Sequence, residues 1–237
     1  MNTTIIAITA RALFGRRRFL LLIPLPALMV GLALLVRLLG ADPKDWAQPV
    51  IIALGMAVVL PVVALVVGTG VLGSEIDDGT LAHVLAKPLP RSEIILSKLL
   101  VAVLVTAVTV CVPFFLVGLV AGSVSLGIGL VVGGLLGSLA YCSLFVALSL
   151  LTRRPVLVGL VYVLVWEGLL GNFLSGTRVL SIQQYVIEVA DRVSRSDLIS
   201  GNVSLAVSLA MSFVFVAGAT LLAIDRLRSF SVVGETS

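Results

Sequence analysis

Six runs of mostly apolar residues, each long enough to cross a bilayer, dominate this chain, and short segments between them carry nearly all the charge. A spanning helix needs about 20 such residues at about 1.5 Å rise each. The runs fall at residues 19–39, 50–72, 99–121, 126–151, 156–174 and 204–224. None alternates with period two, so the pattern predicts helices and not a barrel of strands. With 59% hydrophobic and only 12% charged residues, too little polar surface remains to cover a soluble domain of this size. The expected fold is an all-α integral membrane protein with six transmembrane helices.

Charge placement sets the expected orientation. Arg11, Arg16, Arg17, Arg18, Lys87, Arg91, Lys98, Arg153, Arg154, Arg226 and Arg228 fall on one side. Only Arg37, Lys44, Arg178, Arg192 and Arg195 fall on the other. The positive-inside rule therefore puts both termini in the cytoplasm. Basic excess distributed this way orients a membrane protein and gives no reason to expect nucleic acid. Cys111 and Cys142 both lie inside apolar runs, so no disulfide framework is expected, and a single histidine excludes a His-pair zinc motif. No cleavable signal is expected, because the first apolar run exceeds an h-region. Thirteen arginines against three lysines, amid abundant Ala, Val, Leu and Gly, suggest a bacterial coding bias and hence the inner (cytoplasmic) membrane.

Residues 1–18 mix Ile5, Ile6, Ile8, Leu13 and Phe14 with arginines, which suits a helix lying along the cytoplasmic interface or a plain basic flank. Residues 19–224 form the six-span domain, and residues 225–237 form a cytoplasmic tail. Within that domain the outer segment 175–203 places Ile182, Tyr185, Val186, Val189 and Val193 at helical spacing. Gln183, Gln184, Glu188 and Arg192 lie between them, so an amphipathic helix on or dipping into the outer leaflet is expected.

The most specific stretch lies in the cytoplasmic loop 73–98, where residues 75–98 read EIDDGTLAHVLAKPLPRSEIILSK. Asp77 or Asp78 can cap a short helix, and Leu81, Val84 and Leu85 then form one apolar stripe. Pro88 and Pro90 stop it, and Ser92 can cap the next helix, which continues into the third span. Such a helix, joined directly to two spans, could pass a partner's push to the bundle. A plain cytoplasmic turn fits the same spacing, and the pattern leaves both readings open.

Glu75-x-Asp77-Asp78-Gly79-Thr80-Leu81, followed by Lys87-Pro88-x-Pro90-Arg91, Ile94-Ile95 and Lys98, resembles the loop of ABC transporter permeases of the type-2 exporter class. The six spans, N-terminal interfacial helix and long outer segment resemble that class over essentially the whole chain. Ile76 and Pro90 depart from the residues usual in their slots. The resemblance implies a coupling helix at residues 79–87, seated against a separate ABC ATP-binding subunit. Leu81, Val84 and Leu85 would supply the docking stripe there. Glu75, Asp77, Asp78, Gly79 and Thr80 would complete the contact, and Arg91 would anchor the loop's exit. It further implies a second permease copy or a related permease, forming a dimer of six-span units with substrate passing between them. ATP and Mg would belong to the partner ATPase, with no cofactor in this chain. Consistent with that division, no lysine follows a glycine, so GxxxxGK[ST] does not occur.

Within the bilayer, ionisable residues are functional candidates by default. Glu167, beside Trp166 in the fifth span, is either a polar group at the substrate path or dimer interface, or a hydrated group beyond a helix break near Gly168 or Gly171. Gly129, Gly133 and Gly137 repeat every four residues and let another helix approach, within the subunit or across a dimer. Pro24, Pro26, Pro61 and Pro113 mark expected kinks.

The favoured function is export of a hydrophobic or amphiphilic substrate such as a drug or lipid-like molecule. An ion or metal carrier is the alternative, but clustered intramembrane acids, histidines or thiols are missing from the sequence. A membrane-embedded enzyme fits less well, with no HExxH, no paired aspartates in one span, and His83 in the cytoplasmic loop.

Overall fold

The computed structural model describes residues 9, 22–77, 90–170, 179–201 and 203–230, with the side chains of 74–77, 170, 228 and 230 excepted. Among the described residues the regular structure is entirely helical. Helix α1 spans Pro24–Leu38 and α2 spans Pro43–Gln48. A π-helical stretch, Pro49–Val59, then runs without a break into α3, Leu60–Asp77. Helix α4 covers Arg91–Val120 and α5 covers Val124–Leu151. Helix α6, Pro155–Val161, widens into a second π stretch, Tyr162–Leu170. Helix α7 is Ile182–Ser194 and α8 is Leu205–Phe230.

Four of these pieces are long and apolar enough to cross a membrane: Pro43–Gly73, Arg91–Val120, Val124–Leu151 and Leu205–Leu227. The chain is thus an integral membrane protein. Pro24–Leu38 and Pro155–Leu169 are apolar but shorter, and each borders residues outside the description. The interfacial helix expected within residues 1–18 lies outside the described residues.

Local chemistry explains the element ends. Asp42 accepts the Lys44 N–H at 3.0 Å and caps α2, with Pro43 at its first position. Ser123 caps α5 through the Leu126 N–H at 3.1 Å. The α4–α5 turn closes through Gly122, whose φ of +81° suits a residue without Cβ. The first π stretch shows an i→i+5 bond from the Leu60 N–H to the Gly55 carbonyl and ends just before Pro61. In a regular α-helix the Pro61 ring would press on the carbonyl four residues earlier, and a wider turn makes room for it. Pro113, by contrast, is carried inside continuous α4.

Helix α5 is the axis of the bundle, packing against α3, α4, α7 and α8. Its interior side chains include Tyr141, Phe145 and Leu130, which join Phe114, Leu60 and Met56 in one buried cluster. Glycines set the closest approaches. A Cβ at Gly55 would sit 3.0 Å from both Met29 Sδ and Phe114 Cε1, so α1 and α4 converge there. Outward faces are apolar, with Val108 and Val112 on α4 and Phe213, Val214 and Leu221 on α8 exposed, as a lipid-facing surface requires.

Helix α7 forms where the amphipathic pattern predicts a helix, and most of it is covered, with Arg192 and Val193 exposed near its end. Ile182, Tyr185, Val186 and Val189 are buried, and so are Gln183, Gln184 and Glu188. The helix is sunk into the bundle against α5 and α8.

Candidate functional site

Two constructions stand out, one at each end of the bundle. The first is the base of the loop joining α3 to α4. Glu75 and Asp77 occupy the last turn of α3, with their side chains outside the description. Asp78, Gly79, Thr80, Leu81, Val84 and Leu85, and the coupling helix expected at 79–87, lie outside the described residues.

The loop's exit is well defined. Pro90, with extended backbone (φ −63°, ψ 133°), is the N-cap of α4, and its carbonyl accepts the Glu93 N–H at 2.9 Å. Arg91 is therefore the first helical residue, partly buried, and Glu93 places an acid in the first turn where the helix dipole favours it. Ser92, expected as the cap, falls inside that turn. Two turns on, Lys98 is fully buried and its ammonium donates to the Val71 carbonyl at 2.9 Å. This bond ties α3 to α4 immediately inside the loop. Sequence reasoning counted Lys98 only as an orienting charge and a motif position. The signal it offered was a lysine one helical turn beyond Ile94, at the edge of the third apolar run.

The second construction surrounds Glu167, which is 1% exposed and so not hydrated. Five donors converge on its carboxylate. Tyr141 and Tyr162 each donate a hydroxyl to Oε1 at 3.1 Å. The Ile182 N–H reaches Oε1 at 3.0 Å and the Gln183 N–H reaches Oε2 at 3.4 Å. The Ser181 hydroxyl donates to Oε2 while its oxygen accepts the Gln184 N–H at 3.4 Å. Ser181 is the N-cap of α7, so Glu167 completes that cap from another element and places its charge at the positive end of the helix. Beside it, the Trp166 indole donates to the Leu180 carbonyl at 3.2 Å.

The rest of α7 is seated on the glycine row. A Cβ at Gly129 would lie 2.5 Å from the Ala190 carbonyl oxygen, and one at Gly133 would lie 2.8 Å from that of Val186. At Gly137 it would meet Leu60 Cδ2 at 2.6 Å and Val186 Cγ2 at 2.8 Å. The row therefore packs within the subunit, letting two backbones touch. The far end of α7 is closed by Asp191, which accepts the Gly201 N–H at 2.8 Å, and by the Arg192–Glu188 pair at 2.9 Å. Glu188 holds the guanidinium proton more firmly than usual. Burial, with the Glu167 charge behind it, pushes the Tyr185 phenol up to about 12, and its hydroxyl donates to the Val179 carbonyl.

Among the described residues no group of three or more His, Cys, Asp or Glu could hold a metal ion. What the geometry offers is mechanical: a buried tie at one end of α3 and α4, and a charged joint holding a sunken helix at the other.

An apolar helical bundle whose ordered polar contacts join its helices in this way has the build of an integral membrane protein. The chain belongs to the ABC-2 family of transporter proteins, whose match covers residues 15–177, more than two thirds of the chain and the whole of the 73–98 loop. Helices α7 and α8 lie beyond the matched stretch. No curated protein sequence matches the chain.

Proposed function

We propose that this chain is the permease subunit of an ATP-driven exporter, with six spans and both termini in the cytoplasm. A separate ATP-binding subunit supplies ATP and Mg. It seats on residues 79–87 through Leu81, Val84 and Leu85, with Glu75, Asp77, Asp78, Gly79 and Thr80 around them and Arg91 at the exit. A second permease copy or a related permease completes the path, and the cargo is hydrophobic or amphiphilic.

The observation that carries this reading is the family match, which includes the loop where the Gly79-Thr80-Leu81 and Pro88-x-Pro90-Arg91 signatures stand. The tie between Lys98 and Val71 supports it physically, since a push on the loop reaches α3 and α4 as one body. Glu167 serves within it as the anchor of the outer helix, its carboxylate turned to the interior of its own chain.

Measuring ATP turnover by the purified chain, alone and after co-expression with its cognate ATPase, tests the division of labour. The isolated chain should turn over no ATP and the complex should. Appreciable turnover by the chain alone overturns it.

A further inference from the structure

A cavity of about 570 Å³ opens where α3, the end of α5 and the start of α6 meet. Thr69 and Gly73 line it from α3, and Ser149, Thr152, Arg153 and Arg154 line it from the α5–α6 corner. Val156, Leu157 and Leu160 continue the wall along α6, away from the arginines, and are 52%, 54% and 43% exposed.

Its hydrogen-bonding capacity is lopsided. The Thr69 hydroxyl spends its proton on the Leu65 carbonyl at 2.6 Å, and Ser149 spends its own on Val146 at 2.7 Å. The Thr152 hydroxyl accepts the Arg154 N–H at 3.2 Å and keeps its proton to give. Arg153 and Arg154 are exposed and join no ion pair among the described residues. Among the described residues no carboxylate lines the cavity. Two guanidiniums and the Thr152 hydroxyl at one end of the cavity call for an anion with several oxygens, and the guanidinium fork suits a phosphodiester. The volume far exceeds a phosphate ion, and the aliphatic track beside it suits a chain attached to that anion.

We propose that this cavity binds an anionic phospholipid of the cytoplasmic leaflet, with its phosphate between Arg153, Arg154 and Thr152 and an acyl chain along Val156, Leu157 and Leu160. Assignment to that leaflet rests on the orientation given above. Binding itself is read in detergent, where neither sidedness nor an ATPase enters, so failure here and failure of the export reading are distinguishable.

Native mass spectrometry of the full chain, titrated with phosphatidylglycerol, phosphatidylcholine or inorganic phosphate, tests it. Phosphatidylglycerol should bind in preference to phosphatidylcholine. Replacing both charges (Arg153→Gln with Arg154→Gln) should weaken phosphatidylglycerol about thirtyfold, roughly fivefold per arginine. Gly73→Leu, where a Cβ meets nothing within 4 Å, should fill the cavity without disturbing the helix and weaken the same lipid with both arginines intact. Unchanged phosphatidylglycerol affinity in both variants overturns the proposal. So does full displacement of the lipid by inorganic phosphate at comparable concentration, because the acyl chain would then contribute nothing.

Discussion

The carboxylate of Glu167 accepts the backbone N–H of Ile182 at 3.0 Å, so a side chain of the fifth apolar segment completes the N-cap of a helix that begins fifteen residues later. A buried charge is tolerated only where its lone pairs are filled, and here two tyrosine hydroxyls, one serine hydroxyl and two backbone amides fill them.

Glu167→Ala strands those donors. It should destabilise the chain by at least about 1–3 kcal/mol, the cost of leaving even one buried donor unpaired. Hydrogen exchange should quicken first at the start of α7. Glu167→Gln keeps one acceptor oxygen and should cost less. Equal melting temperatures for the wild type and Glu167→Ala would show that the cap contributes nothing.

Gly133→Leu drives a side chain against the Val186 carbonyl oxygen, a backbone atom that cannot step aside. A loss of at least about 1–3 kcal/mol should follow, with α7 displaced. Gly218→Ala is the matched control: nothing lies within 4 Å of its Cβ, so the helix should gain about 0.5–1 kcal/mol. Comparing the two melts separates close packing from helix propensity.

Lys98→Met leaves the Val71 carbonyl without its tie while preserving side-chain length. Amide exchange near the facing ends of α3 and α4 should rise. In complex with the ATPase, turnover should cease to respond to the permease although the two chains still associate. Lys98→Arg keeps a donor and should retain part of the response. Unchanged exchange and an undiminished response in Lys98→Met would remove Lys98 from the transmission path.

Much of this was legible in the sequence, and the exceptions share a cause. The apolar runs at 50–72, 99–121, 126–151 and 204–224 marked the four long apolar helices, because length and composition suffice for that. The Gly129–Gly133–Gly137 row announced a close approach, but not that α7 would be the helix approaching. The burial of Gln183, Gln184 and Glu188 was not legible, because a pattern of polar and apolar residues cannot show which polar side chains the fold covers. The role of Glu167 was hidden for a similar reason: its donors come from Tyr141, Tyr162 and residues 181–183, positions that only the fold brings together. The π stretches follow from local fit, as at Gly55 and Pro61, and leave no periodic signature.

The central claim is that a separate ATPase acts on this chain through the 73–98 loop, and co-purification with the cognate ATPase tests it most directly. Leu81→Asp and Leu85→Asp each put a charge into the proposed docking stripe. The account predicts that either change releases the ATPase, or abolishes the permease's effect on its turnover, while the melting temperature of the permease alone stays unchanged. Full retention of the complex and of its ATP turnover in both variants would contradict it.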